Sequence, residues 1–294
     1  MITLKEKTEI RDRLEEYCSQ KGSQNKAANS LRDVSAATIS KLLNGEWELI
    51  NETMWRHIGN QIGVKNKNWN IVETSNYRDL NTLFADAQDN SLVMAICCEA
   101  GAGKTLAANM YAEQHREVFL MTCSDYWNRK IFMEELLRVM GKNANGDTIG
   151  EMMRDVVRSL KRMNNPLLIL DEADKLTDQA LYFFITLYNQ LEDCCGIILM
   201  ATDYLEKKIK RGLRLNKKGY KEIYSRVGRK FVSLRGLSSN DITDVCTANG
   251  VNDKAEIKEV IKDCEGDLRR VKRKCFAINR KRLAQEKNNE SQSE

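Results

Sequence analysis

The chain is short of several things, and each shortage narrows what it can be. Its 294 residues contain one proline, no cysteine pair spaced C-x-x-C and no apolar run of the roughly 18 residues a membrane span requires. With one proline and 30% charged residues, the chain is expected to be mostly helical with a modest sheet. The nine cysteines include two adjacent doublets, Cys97-Cys98 and Cys194-Cys195, and lack the spacing of metal ligands. They read as reduced thiols in buried strands, which argues against a disulfide framework or a zinc site. The N-terminal "MITLKEKTEI" has no signal-peptide core, so the expectation is a cytoplasmic protein with no membrane partner. A net charge of +5 is mildly basic: it permits nucleic acid as a partner without requiring it. No carboxylate triad of the integrase kind is visible, so DNA cleavage is not expected.

What is present begins with "CCEAGAGKT", residues 97 to 105. It closes like the phosphate-binding pattern G-x-x-x-x-G-K-[ST], but Cys98 stands where the first glycine belongs. The apolar run "SLVMAICC" before it reads as a buried strand and "KTLAANMYAEQ" after it as a helix, the context such a loop needs. Gly101 and Gly103 let backbone N–H groups turn toward phosphates at a helix N-terminus, with Cys98, Glu99, Ala100 and Ala102 completing the cradle. Lys104 reaches the β- and γ-phosphates of ATP, and the Thr105 hydroxyl suits Mg²⁺. A small Cys98 is tolerable if its φ stays negative.

A second apolar strand, "PLLILDEAD", ends in two acids. Asp171 fits a partner of Mg²⁺ held through water, and Glu172 fits the base that polarises the attacking water. A third, "GIILMATDY", ends at Thr202, which is placed to orient that water. Two arginines follow in order: Arg226 in "YSRVGRK" and Arg269 in "EGDLRRVKR". Arginine's fixed charge suits the negative charge redistributed during phosphoryl transfer. The ordered set predicts an ATPase with Glu172, Lys104, Arg226, Thr202 and Arg269 in the catalytic roles. The ordered set resembles that of the AAA+ ATPases, and the resemblance implies that Arg269 is the lid sensor and Arg226 a finger reaching a neighbour's nucleotide, which requires an oligomer.

Residues 1–64 read as helices, with Ile10, Leu14 and Tyr17 at helical spacing and Ser35 capping a helix that carries Ile39, Leu42 and Leu43. This has the look of a repressor-type helix-turn-helix whose third helix would offer Ser35, Ala36, Thr38 and Lys41 to a major groove. Those side chains promise little sequence discrimination. A plain helical bundle for protein contacts is the competing reading. Residues 65–77 read as a linker, 78–236 as the ATPase core, 237–285 as a helical lid and 286–294 as a disordered tail.

The combination of this N-terminal unit with "GAGKT", "VFLMTCS", "LILDEAD", "IILMATD", "YSRVGRK" and "GDLRRV" resembles the AAA+ ATPases of the bacteriophage Mu transposition protein B family, and more distantly the IstB-type helpers of insertion sequences. The resemblance implies an α/β fold: an AAA+ P-loop domain (a parallel sheet flanked by helices), a small helical lid and an N-terminal all-α helix-turn-helix domain. It also implies ATP-dependent oligomerisation on double-stranded DNA as a filament or ring, largely without sequence preference. Delivery of that DNA to a partner transposase, inside a bacterial host cell, would follow.

Two segments are candidates to face DNA. "CSDYWNRK" offers Tyr126, Arg129 and Lys130 after the second strand, for backbone contact and stacking. "EKKIKRGLRLNKKGYKE" reads as a basic insert with Lys207, Lys208, Lys210, Arg211, Arg214, Lys217, Lys218 and Lys221 against Glu206 and Glu222. A replication initiator or loader ATPase would share the engine, and an ATP-responsive helix-turn-helix regulator is a third class.

Overall fold

The computed structural model describes residues 2–64, 69–144 and 146–290, the last five of these by their backbone alone. The N-terminal unit is built from α1 (Leu4–Lys21), α2 (Gln24–Ser30), α3 (Ala36–Leu43) and α4 (Glu52–Gln61). Each starts at a side-chain cap that satisfies an otherwise orphaned helix N–H: Thr3 (in a capping box with Glu6), Ser23, Ser35 and Asn51. Leu14, Ile39, Leu42, Trp55 and Ile58 are wholly buried between the helices.

The P-loop domain opens with α5 (Ser75–Asp89), capped by Thr74. The expected linker 65–77 is therefore already helical from Ser75. Its residues 69–72 pack on the lid through Trp69 and Val72, and 65–68 lie outside the described residues. Then follow β1 (Val93–Cys97), α6 (Lys104–Gln114), β2 (Val118–Thr122), α7 (Arg129–Val139), α8 (Ile149–Leu160), β3 (Leu167–Asp171), α9 (Asp178–Leu191), β4 (Gly196–Ala201), α10 (Asp203–Arg214), α11 (Tyr220–Arg226) and β5 (Phe231–Val232). Among the described residues the strands form one parallel sheet in the order β2-β3-β4-β1-β5. Helices cover both faces, so β3 and β4 are buried throughout and need no polar alternation. Because β4 pairs with both β1 and β3, the segments leaving the ends of all three strands emerge side by side.

The segment read as a basic insert is not a loop. It forms α10 and α11, with Leu205, Ile209 and Ile223 buried on their inner faces. The N-terminal unit docks on the opposite edge through α1 and α2: Arg13 pairs with Glu113, Asn29 Nδ2 donates to the Gly141 carbonyl (3.2 Å), and Arg138 donates to that of Ser30 (2.7 Å). Lys41 on α3 stays exposed.

The lid comprises α12 (Ser239–Ala248), α13 (Lys254–Cys264) and α14 (Leu268–Glu290) around Ile242, Cys246, Val260 and Val271. The expected disordered tail begins too early. The backbone of 286–290 continues α14, since nothing there breaks a helix, and 291–294 lie outside the described residues. The lid is held to the P-loop domain by Asp241, which accepts from the Ser75 N–H (2.7 Å) and hydroxyl (3.0 Å), and by a reciprocal Asn70–Asn249 pair.

Candidate nucleotide site and basic faces

The loop between β1 and α6 passes through two left-handed glycines, Gly101 at φ +81° and Gly103 at φ +93°. Only glycine adopts these angles freely, and they aim successive N–H groups into one concavity. Cys98 is not among the residues with positive φ, so the missing first glycine costs no backbone strain. The thiol is buried at the strand exit, and that burial raises its pKa despite the nearby Lys104 ammonium. Lys104 folds back along the loop, donating to the carbonyls of Cys98 (2.7 Å) and Glu99 (2.9 Å). These acceptors are neutral, so a phosphate would displace them readily.

Opposite the loop, Thr105 Oγ1 donates to Asp171 Oδ2 at 2.6 Å. Asp171 is 1% exposed, and burial pushes its pKa up against the hydrogen bonds from Thr105 and the Glu172 N–H. A buried carboxylate beside a hydroxyl at a phosphate loop is the donor set Mg²⁺ uses together with phosphate oxygens and water. Two further features suit a nucleotide. Gly101 and Gly103 put no side chain of their own into the loop, and Asn76, wholly buried, donates its Nδ2 to the Ala102 carbonyl (3.3 Å) while its Oδ1 has no partner. A buried amide oxygen without a donor is costly in the absence of a ligand.

Glu172 sits in the left-handed region at φ +55°, with Oε2 bonded to Lys175 Nζ (2.6 Å) rather than turned to the loop. Thr202 caps α10 through the Tyr204 N–H and donates its hydroxyl to Asp174 Oδ2 (2.7 Å). Arg226, at the end of α11, is held on α9 by Asn189 Oδ1 (2.6 Å from Nη2) and lies over the Tyr188 ring. Arg269 is exposed in the first turn of α14, beside Asp267. The sequence reading missed Asp267. Its carboxylate lies against Gly101, where an added Cβ would come 2.0 Å from Oδ1, and the Leu268 N–H donates to the Gly101 carbonyl (3.0 Å). The lid thus rests directly on the phosphate loop. The only signal in the sequence was the "GD" before Leu268, legible as a helix cap.

The expected DNA-facing residues divide. Tyr126, Arg129 and Lys130 are exposed, whereas neighbouring Trp127 belongs to the core. Lys207, Arg211 and Arg214 share the outer face of α10, at the spacing that stacks side chains on a helix. Lys208 does not join them. Its stem is half-buried and its ammonium donates to the carbonyls of Asp174 and Leu176, because its place on α10 points it at the turn after β3. Lys210 is paired with Glu206 and Lys217 with Asp178, and Lys218 lies over Tyr182. Lys210 and Lys217 are partly neutralised and Lys218 is tied to a ring, so the basic face is narrower than the charge run suggested.

Comparison with known proteins agrees with this geometry. A family model described as an AAA domain matches residues 87–209. The Mu-like prophage FluMu DNA transposition protein B of Haemophilus influenzae is 27% identical over 194 residues, covering 65% of this chain and 65% of that relative. The ATP-dependent target DNA activator B of Escherichia phage Mu is 22% identical over 232 residues, covering 76% of this chain and 72% of its own length. Among solved structures, the Aeropyrum pernix ORC1 protein in complex with DNA aligns at a TM-score of 0.48 and 15% identity, over 67% of this chain and 56% of that one. The chain thus has an AAA+ P-loop fold, with an AAA domain matched over residues 87–209, and is similar to the transposition B proteins of Mu-like phages.

Proposed function

We propose that this protein is an ATP-dependent DNA-binding protein that oligomerises on target DNA, delivers it to a partner transposase and stimulates DNA transposition. The observation that carries the reading is the junction of the glycine loop with the Thr105–Asp171 pair, in a chain similar to relatives named for DNA transposition and target DNA activation. Bound ATP with Mg²⁺ would supply the energy of phosphoanhydride cleavage. Lys104 would exchange its loop carbonyls for phosphate oxygens, and Thr105 and Asp171 would hold the metal. Glu172, swung off Lys175, would take the proton of the attacking water. Thr202 would fix the turn that carries Glu172. Arg269 would meet the phosphates from the lid, and Arg226 would leave Asn189 to reach a neighbouring subunit's nucleotide.

The DNA contacts fit an electrostatic footing: Lys207, Arg211 and Arg214 on one helix, with Tyr126, Arg129 and Lys130 on another segment and Lys41 on the N-terminal unit. Side chains of this kind hold phosphates and carry little base information. The test is electron microscopy and DNA co-sedimentation of the wild type with ATP, with ADP and without nucleotide, followed by a strand-transfer assay with the cognate transposase. ATP-dependent assemblies on duplex DNA of unrelated sequences are expected. DNA binding that ignores nucleotide, or assemblies that leave strand transfer unchanged, would refute the reading.

A further inference from the structure

Between α9, α10 and α11 lies a cavity of about 330 Å³. Lys207, Lys208, Arg211 and Lys217 line it, and Asp178 is the only acidic residue in its lining. That carboxylate is already engaged, accepting from the Tyr220 hydroxyl (2.7 Å) and from Lys217 (3.0 Å). The cavity therefore carries excess positive charge in a partly desolvated recess, where an oxyanion gains more than it would on an open surface.

Lys208 makes this recess more than a patch. Its donors go to two neutral carbonyls, Asp174 and Leu176, and among the described residues it has no ion pair. Burial lowers its pKa, and the nearby Asp178 and Asp174 carboxylates offset that only in part. The two carbonyls belong to the turn that follows Glu172, and the same turn is held from its other side by the Thr202 hydroxyl on Asp174. Thr202 is the N-cap of α10 and Lys208 lies on that helix, so α10 grips the turn at two points. Within the turn, Lys175 holds Glu172.

We infer that this cavity binds a phosphoryl oxyanion, a backbone phosphate of duplex DNA, and that Lys208 is the positioning residue through which its occupancy reaches Glu172. The inference rests on the reading of the chain as a DNA-binding ATPase. An oxyanion among these cations draws the Lys208 ammonium off the carbonyls of Asp174 and Leu176, because a charged acceptor outcompetes a neutral one. The turn loses one of its two fastenings, and Glu172 is freer to leave Lys175 for the water it activates. Duplex DNA then accelerates hydrolysis rather than nucleotide binding.

The experiment measures kcat and KM for ATP at rising duplex DNA, and separately at rising sodium sulfate without DNA, for wild type, Lys208→Met and Lys208→Arg. DNA affinity is measured in parallel by fluorescence anisotropy. DNA is expected to raise wild-type kcat by about fivefold or more, the low end of ordinary coupling, with KM little changed. In Lys208→Met, which keeps the stem and loses the ammonium, that ratio at saturating DNA should fall to about one with KM within about twofold, while DNA affinity falls by the loss of one phosphate contact. Lys208→Arg, which keeps a cation within reach of both carbonyls, should retain a DNA response, which a merely packed side chain would not explain. Sulfate alone raising kcat in the wild type and not in Lys208→Met would assign the cavity to free oxyanions. That result in a wild type that fails to bind DNA would sink the DNA reading and leave the cavity standing. DNA bound without any change in kcat, or full stimulation retained by Lys208→Met, would overturn the inference while leaving DNA binding intact.

Discussion

Gly101→Ala tests the contact between lid and phosphate loop, because it changes one carbon at a place where two segments far apart in sequence meet. The position has φ +81°, where a residue with a Cβ is strained by roughly 1–2 kcal/mol. The new Cβ would also lie 2.0 Å from Asp267 Oδ1, 2.3 Å from its Cγ and 2.9 Å from its Cβ, so the carboxylate has to move. Moving it breaks the bond from the Arg269 N–H (2.7 Å) that caps α14. Loss of such a cap costs about 0.5–2 kcal/mol. The two parts sum to roughly 1.5–4 kcal/mol. Asp267→Gly removes all three obstructing atoms while keeping a tolerable cap residue, and alone should cost only a few tenths of a kcal/mol beyond the lost carboxylate bond. In that background Gly101→Ala should cost only the dihedral strain, about 1–2 kcal/mol. The coupling energy of the cycle is therefore about 0.5–2 kcal/mol, well above the roughly 0.3–0.5 kcal/mol scatter of independent sites. Urea unfolding of the four proteins, without nucleotide and followed by lid and core fluorescence, supplies the numbers. A cycle that closes within that scatter would mean the lid does not rest on the loop in solution.

Lys104→Ala should lower ATP affinity by at least about tenfold, since it removes the charge facing the phosphates; a fluorescent ATP analogue bound as in wild type would contradict the loop's role. For Arg226→Ala, ATP binding should persist while hydrolysis falls by about 10³-fold, and mixing with Lys104→Ala subunits should restore turnover; no rescue in co-assembled mixtures would remove the trans finger. Replacing Lys207, Arg211 and Arg214 by alanine should flatten the salt dependence of DNA binding by about 2–3 units of slope, at −0.9 per lost phosphate contact, on all sequences alike; an unchanged slope moves the contacts to Arg129 and Lys130. At the junction between the N-terminal unit and the core, burial lowers the Lys21 ammonium to about 8, and its donor goes to the Val139 carbonyl (3.2 Å). The folded chain sheds this proton before the unfolded chain does, so the burial cost is fully present below about 8 and stability rises with pH from there toward 10.5. Lys21→Met should thus stabilise the protein at pH 7 by about 1 kcal/mol, discounted for partial exposure, and erase that rise; a Met variant with unchanged pH dependence would count against it.

Where chemistry and chain run together, the sequence by itself determined the outcome. The candidate phosphate loop is a contiguous strand–loop–helix, so its left-handed glycines and the Lys104 and Thr105 side chains beside them are all legible within nine consecutive residues. The placement of Asp171 and Thr202 at neighbouring strand ends was legible for a related reason: in a parallel sheet, the last residues of apolar runs emerge at one edge. The capped helices of the N-terminal unit follow equally local rules. The basic segment 206–222 misled, because a high density of lysine and arginine reads as a solvated run. The buried Leu205 and Ile209 at helical spacing make it an amphipathic helix instead. What only the tertiary structure decided is where individual side chains point and which distant partners they meet. Lys207 and Lys208 are adjacent and alike in sequence, yet a step of 100° around α10 leaves one exposed at the rim of the cavity and sends the other to the carbonyls of Asp174 and Leu176. Asp267 reads as an ordinary helix cap until the lid sets it against Gly101, and Arg226, read as a finger toward a neighbour, is held within its own chain by Asn189 on α9. Such contacts join residues tens to more than a hundred positions apart, and no local propensity encodes them. They arise when buried apolar faces lock the helices into place and the polar side chains between them take the partners left within reach.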